Sequence, residues 1–194
     1  VVLLTDAFIA NGSAAWKLPK LAEYPAINPP FVPAELKGAW TPYQRNEEGV
    51  RYWAVPGTEG FTHILGGLEK DNATGAISTN PENHHLMTQF RQQKIDNIQV
   101  PNVEMEGDKD DAELLIVGFG GTYGHLRAAM DEMRAAGKKV AMTQFRYINP
   151  LPKNTAEVMK KYPKVVVAEQ NMGQLAGWLR MKVDGFCPEQ YNEV

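Results

Sequence analysis

Leu114-Leu115-Ile116-Val117-Gly118-Phe119-Gly120-Gly121-Thr122-Tyr123-Gly124 is the stretch whose reading decides the fold. Four consecutive branched apolar residues read as a strand buried on both faces, the pattern of a parallel sheet. A glycine-rich turn follows, and then Tyr123 to Ala136 place Leu126, Ala129, Met130 and Met133 on one helical face, with Gly137 as the stop. The rhythm repeats downstream. Lys139 to Phe145 read as a second strand and Asn154 to Tyr162 as a helix after Pro150 and Pro152. Val165-Val166-Val167 read as a third strand and Gly173 to Val183 as a third helix. Three βα units in series predict an α/β fold: a three-layer αβα parallel sheet with helices on both faces and right-handed crossovers. In such sheets, ligands and partners meet the carboxyl ends of the strands.

Those ends nominate the candidate site. The first loop contributes Gly120, Gly121, Thr122 and Tyr123, the second Arg146, and the third Glu169, Asn171 and Gln174. Arg146 and Glu169 are expected to lie near enough for an ion pair. The glycine loop is not a dinucleotide cradle. A GxGxxG pattern from Gly118 wants glycine where Tyr123 stands, and the second strand ends in Thr143-Gln144-Phe145 rather than in a ribose-binding acid. A packing turn, a contact with another subunit and a ligand edge remain open readings.

Upstream, residues 19–103 form an irregular Pro/Gly-rich connector. Pro19, Pro25, Pro29, Pro30, Pro33, Pro42 and Pro56 exclude long helices and central strands there. Trp40, Tyr43, Tyr52 and Trp53 call for a surface to pack on. One helix is expected near 84–98, with Asn83 as N-cap. Glu104 to Glu113 hold six acids against Lys109 alone and read as a solvated linker opening the last domain, 104–194. Val1-Val2-Leu3-Leu4 read as a buried strand and residues 1–18 as the tail end of an upstream domain. The chain is therefore expected to be a C-terminal piece of a longer protein, with its last domain truncated.

Composition narrows the function. With 43% hydrophobic and 22% charged residues, the chain has ordinary globular character, and a net charge of −3 with no basic stripe argues against nucleic acid. No apolar run approaches the ~18 residues that span a membrane. One cysteine, Cys187, cannot make a disulfide within the chain or ligate an iron–sulfur cluster, which takes about four thiolates. Two glycosylation sequons, at Asn11 and Asn72, would be ignored in the cytoplasm, the expected compartment, and the thiol count does not argue for secretion. His84 and His85 are adjacent and diverge on a helix, so neither they nor His63 build a metal site. Nucleophile-elbow and phosphate-loop motifs are absent from the sequence. Gly107-Asp108 is followed by Lys109, which breaks a diphosphate-binding GDG start.

The ordered words of the chain resemble a family. Leu3-Leu4-Thr5-Asp6 with Ala10-Asn11 looks like the end of the pyrimidine-binding domain of 2-oxoacid:ferredoxin oxidoreductase alpha subunits. Pro56-Gly57-Thr58-Glu59-Gly60, Gly66-Gly67-Leu68-Glu69, Thr74-Gly75 and Asn83-His84 resemble the connector after it. Gly120 to Gly124, Arg146 to Pro152 and Glu169 to Leu175 resemble the next domain, which is similar to the C-terminal domain of transketolase. The 2-oxoglutarate type is the nearest in pattern. The resemblance implies thiamine diphosphate, Mg and an iron–sulfur cluster in the parent complex, with none of them held by residues of this chain. It implies a beta subunit, ferredoxin and coenzyme A as partners, contacts between alpha subunits, and a structural rather than catalytic role for the chain itself, which alone would be inactive. Two other readings stay open: a self-contained Rossmann-like module for an anionic ligand, and a transketolase or 2-oxoacid dehydrogenase relative that uses no ferredoxin.

Overall fold

The computed structural model describes residues 2–5, 10–13 and 15–193. From residue 106 onward the chain builds a five-stranded sheet in the order β1-β3-β2-β4-β5. The strands are β1 (Glu106–Gly107), β2 (Leu114–Phe119), β3 (Val140–Phe145), β4 (Val165–Glu169) and β5 (Glu189–Asn192). Parallel pairing joins β3 to β2, β2 to β4 and β4 to β5, whereas β1 runs antiparallel to β3 at one edge. The helices are α1 (Pro81–Asp96) in the connector, then α2 (Tyr123–Ala135), α3 (Thr155–Lys161) and α4 (Gln174–Lys182).

The two-residue period of the strands divides the core into two layers. Leu115, Val117, Ala141, Phe145, Val165 and Val167 face α3 and α4, where Met159, Leu175 and Leu179 close the packing. Ile116, Val140 and Met142 face the other way, onto Met130 of α2, with Leu126 and Met133 beside it. Helices therefore cover both faces, as the sequence predicts. Leu115, Val117 and Leu179 are wholly buried, so truncating either leucine to alanine is expected to cost about 2–5 kcal/mol.

Four expectations need correction. The acidic run is no free linker. Glu106 takes Arg127, Asp108 takes Arg134 at 3.0 Å, and Asp111 takes Lys139 at 2.8 Å. Asp108 also accepts the Val140 N–H at 3.1 Å, so the run stitches β1 to β3 and α2. The Arg134 guanidinium, and after it the Val140 amide, hold the Asp108 carboxyl below its ordinary value. The connector helix begins three residues early. Its N-cap is Asn80, which accepts the Asn83 N–H at 2.8 Å, and Pro81 occupies the first turn, where no donor is missed. Asn83 instead points inward: it donates to Lys70 O and accepts from Asn72 N. The chain also gains a fourth parallel strand, β5, beyond the last helix. Finally, Val2, Leu3 and Leu4 form no strand and stand more than 80% exposed, because no sheet edge runs beside them. The rest of that expected strand, Val1, and Val194 at the other end lie outside the described residues.

The connector has little regular structure before α1. Short 3-10 turns at Leu21–Glu23 and Ala34–Leu36 and isolated bridges such as Phe31 to Trp53 hold it. Trp40 packs edge-on against Phe61 and His63, and Phe61 is the buried centre of that small cluster. Among the described residues no helix is long and apolar enough to cross a membrane.

Candidate functional site

The carboxyl ends of β2, β3 and β4 bring the nominated residues to one edge of the sheet, as two groups with different jobs. The first surrounds the glycine turn. Gly120–Thr122 form a single 3-10 turn leading directly into α2. Thr122 is buried; its hydroxyl donates to Phe119 O at 3.0 Å and accepts the Phe119 N–H at 3.3 Å, which closes the turn on itself. Gln144, at the end of β3, donates to Gly120 O at 2.9 Å and pins the turn to the neighbouring strand. Gly118 is required here for space. A Cβ would lie 2.4 Å from Leu126 Cδ1 and 2.5 Å from Gln144 Oε1. The glycine therefore serves the approach of α2 to the sheet, not of a ligand. Tyr123 leans outward and donates its hydroxyl to Glu106 Oε1 at 3.0 Å.

Arg146 is exposed and, among the described residues, has no carboxylate within 4 Å. Beside it lies a cleft of about 410 Å³ lined with Phe119, Gly120, Tyr123 and Gln144. A smaller hollow of about 160 Å³ on its other side is lined by Pro101 to Glu104. Gln144 Oε1 is buried without a partner among the described residues.

The second group is the cap of α4, and it overturns the expected Arg146–Glu169 ion pair. Glu169 is only 5% exposed. Its two oxygens accept the Leu175 and Ala176 N–H groups at 2.8 and 2.9 Å. The first turn of a helix leaves its amide donors free and carries positive dipole charge, so a carboxylate placed there is doubly favoured. Asn171 Oδ1 accepts from Gly173 N at 2.8 Å and Gln174 N at 3.2 Å, and Gly173 takes φ +91° to complete the turn. Glu169 and Asn171 are thus committed to backbone, whereas Gln174 faces solvent. Trp178 donates from Nε1 to Ile148 O at 2.7 Å, tying α4 to the loop after β3.

At the nominated edge the Glu169 carboxylate is taken up by backbone amides, and Arg146 is left without a carboxylate partner among the described residues. The edge does hold exposed apolar groups: Phe119, Tyr123 and Tyr147 at 38%, 41% and 46% exposure, and Met172 at 81%. Two features escaped the sequence. One is the role of Glu106 and Asp108, whose partners Arg127 and Arg134 stand seven residues apart on one face of α2. The other is a second concave surface, lined by cations, in the connector.

Comparison with known proteins bears directly on this arrangement. Residues 112–192 match the model of the pyruvate:ferredoxin oxidoreductase core domain II. The chain is 47% identical over 184 residues to the 2-oxoglutarate oxidoreductase subunit KorA of Mycobacterium tuberculosis, covering 94% of this chain and 28% of that protein. It is 27% identical over 202 residues to subunit alpha of the 2-oxoacid:ferredoxin oxidoreductase 1 of Aeropyrum pernix, covering 98% of this chain and 30% of that one. The chain belongs to the 2-oxoacid:ferredoxin oxidoreductase alpha-subunit family. A solved structure agrees: the 2-oxoglutarate:ferredoxin oxidoreductase from Magnetococcus marinus, with 2-oxoglutarate, coenzyme A and succinyl-CoA bound, superposes with a TM-score of 0.80 at 31% identity, over 90% of this chain and 31% of that one. The chain thus spans less than a third of the length of these alpha-subunit relatives. For a metal ion or an iron–sulfur cluster, the described residues do not fit. Among the described residues no three His, Cys, Asp or Glu side chains converge on a metal position, and Cys187 alone cannot ligate a cluster.

Proposed function

We propose that this chain is the part of an alpha subunit that builds contacts in a 2-oxoacid:ferredoxin oxidoreductase, without supplying a group to the chemistry. The enzyme's reaction is the oxidative decarboxylation of 2-oxoglutarate with coenzyme A to succinyl-CoA, with electrons passed to ferredoxin. Thiamine diphosphate, with Mg, supplies the electron sink and an iron–sulfur cluster carries the electrons, on residues outside this chain.

The observation that carries this reading is the state of the carboxyl edge. Glu169, Asn171 and Thr122 spend hydrogen bonds on the turns they belong to, and Gln144 donates to the neighbouring turn at Gly120. Phe119, Tyr123, Tyr147 and Met172 remain outward. Apolar groups gathered at one edge, beside an arginine without a carboxylate, suit a protein contact better than a small-molecule site. The connector adds Ile27, Phe31, Trp53, Leu65 and Leu68, each more than half exposed. Such a surface needs covering, and the beta subunit or a second alpha subunit is the partner we assign. The cytoplasm is the compartment that fits.

The experiment is coenzyme A-dependent viologen reduction by the full-length parent with its partner subunit. A strong preference for 2-oxoglutarate over pyruvate is expected. Preference for pyruvate would move the substrate and keep the family. No reduction with any 2-oxoacid, in a complex carrying its thiamine diphosphate and clusters, would refute the proposal.

A further inference from the structure

The sequence has no basic stripe, yet the fold assembles one basic cleft. Arg45, Arg51, Lys70, Arg91 and Lys94 come from three separate segments and line a hollow of about 400 Å³ between the connector and α1. Glu69 is its one lining carboxylate, and that group is already taken by His84 at 2.7 Å and Arg91 at 3.0 Å. Among the described residues, Arg45, Arg51, Lys70 and Lys94 have no carboxylate within 4 Å. This concentration of positive charge stands in a chain whose net charge is −3.

The cations are also built in. Arg45 and Arg51 face each other across an antiparallel bridge that closes the turn between them. The Arg45 guanidinium lies 4.1 Å over the Phe90 ring and donates to Tyr43 O at 2.9 Å and to Asn72 Oδ1. Arg51 lies 4.5 Å over the Tyr43 ring. Lys70 is only 3% exposed, and its ammonium donates to the Gly66 and Leu68 carbonyls. Asn83 fixes this arrangement from α1 by bonding Lys70 O and Asn72 N. Ring faces and carbonyls hold these side chains in place, but none of them neutralises the charge. Burial, and then the neighbouring Arg51, press the Arg45 guanidinium below its ordinary value.

We infer that this cleft binds a diphosphate-bearing ligand. Several guanidinium and ammonium groups converging on one hollow match an anion with more than one charge and many acceptor oxygens, and arginine forks fit phosphate geometry bidentately. The inference stands apart from the oxidoreductase reading, since it requires no turnover.

The test is calorimetric titration of inorganic pyrophosphate into the full-length holoenzyme, with saturating thiamine diphosphate and coenzyme A present to fill those two ligands' own sites. The expected result is one saturable site per chain, weaker for inorganic phosphate. Arg51 and Lys94 are exposed, so their replacement spares the fold. Arg51→Ala and Lys94→Ala are each expected to weaken pyrophosphate about tenfold, the loss of one charge-assisted hydrogen bond. Lys160→Ala, an exposed lysine on α3, is the charge-matched control and leaves affinity unchanged. Absence of saturable binding at millimolar pyrophosphate, or equal affinity in wild type and the Arg51→Ala/Lys94→Ala double variant, overturns the inference. So does occupation of the cleft by an acidic protein segment, read as polyglutamate binding that pyrophosphate does not displace.

Discussion

Removing the Glu169 carboxylate tests the reading of the sheet edge at its most sensitive point. Two buried amides, on Leu175 and Ala176, depend on its oxygens at 2.8 and 2.9 Å. In Glu169→Ala both lose their acceptor. A hydrogen bond to a charged group contributes about 1.5–3 kcal/mol, and an orphaned buried donor costs about 1–3 kcal/mol. Water reaching the vacated position recovers part of that. A net loss of about 3 kcal/mol is the working figure, above the about 0.5–2 kcal/mol of an ordinary helix cap because two buried amides lose a charged acceptor. Because a multidomain protein does not unfold in one step, the effect is best read locally. Hydrogen exchange of peptides covering residues 174–182 should speed up by roughly 10²-fold, the equivalent of that free energy. Peptides from α2 should not change. Glu169→Gln, with one acceptor oxygen in place of two, should fall between. Unchanged exchange over α4 in Glu169→Ala would refute the cap and return Glu169 to the pool of groups free to meet Arg146 or a ligand.

Other outcomes follow from the same contacts. Gly118→Ala forces a Cβ against Leu126 and Gln144 and should cost about 1–3 kcal/mol, measured as a lowered melting temperature; a neutral result would mean α2 can move off the sheet. Asp108 has its carboxyl value depressed in the fold, so its contribution is complete above the unfolded value of about 3.9 and disappears as pH falls through the lower folded one. The stability gap between wild type and Asp108→Asn should therefore be present at pH 7 and close below about pH 4; a gap that ignores pH would contradict the pairing with Arg134 and Val140. Trp178→Phe keeps the ring packing and loses the 2.7 Å bond to Ile148 O, so faster exchange is expected in residues 146–152 with little change in the strands.

What could be read from the sequence depended on where each element buries its residues. Leu114 to Val117 announce a strand because a parallel strand covered on both sides must be apolar throughout. The α2 register is legible for the same reason, as Met130 and Leu126 face the sheet. Glu189-Gln190-Tyr191-Asn192 carry no such mark. The strand is exposed along its whole length and is held by backbone pairing to β4, which leaves no trace in side-chain pattern. The acidic run misled for a related reason. A local excess of acid looks solvated until the arginines of α2 are placed opposite it. At the candidate site, topology brought the nominated loops to one edge, since strand ends were legible. Partner choice was not, because Glu169 bonds amides six and seven residues ahead, inside a turn whose shape depends on Gly173. The basic cleft was invisible in one dimension because its cations lie up to 49 residues apart, from Arg45 to Lys94.

The central claim is that this chain contributes contacts and no reacting group. Its most direct test is the Tyr147→Glu/Met172→Glu double variant of the full-length alpha subunit, both sites being exposed at the edge. Particle mass and viologen-reduction turnover would be measured on the same sample. The account predicts that the complex loses mass while turnover per remaining intact complex stays at the wild-type value. An intact complex whose turnover has collapsed would contradict it and place the edge in the chemistry.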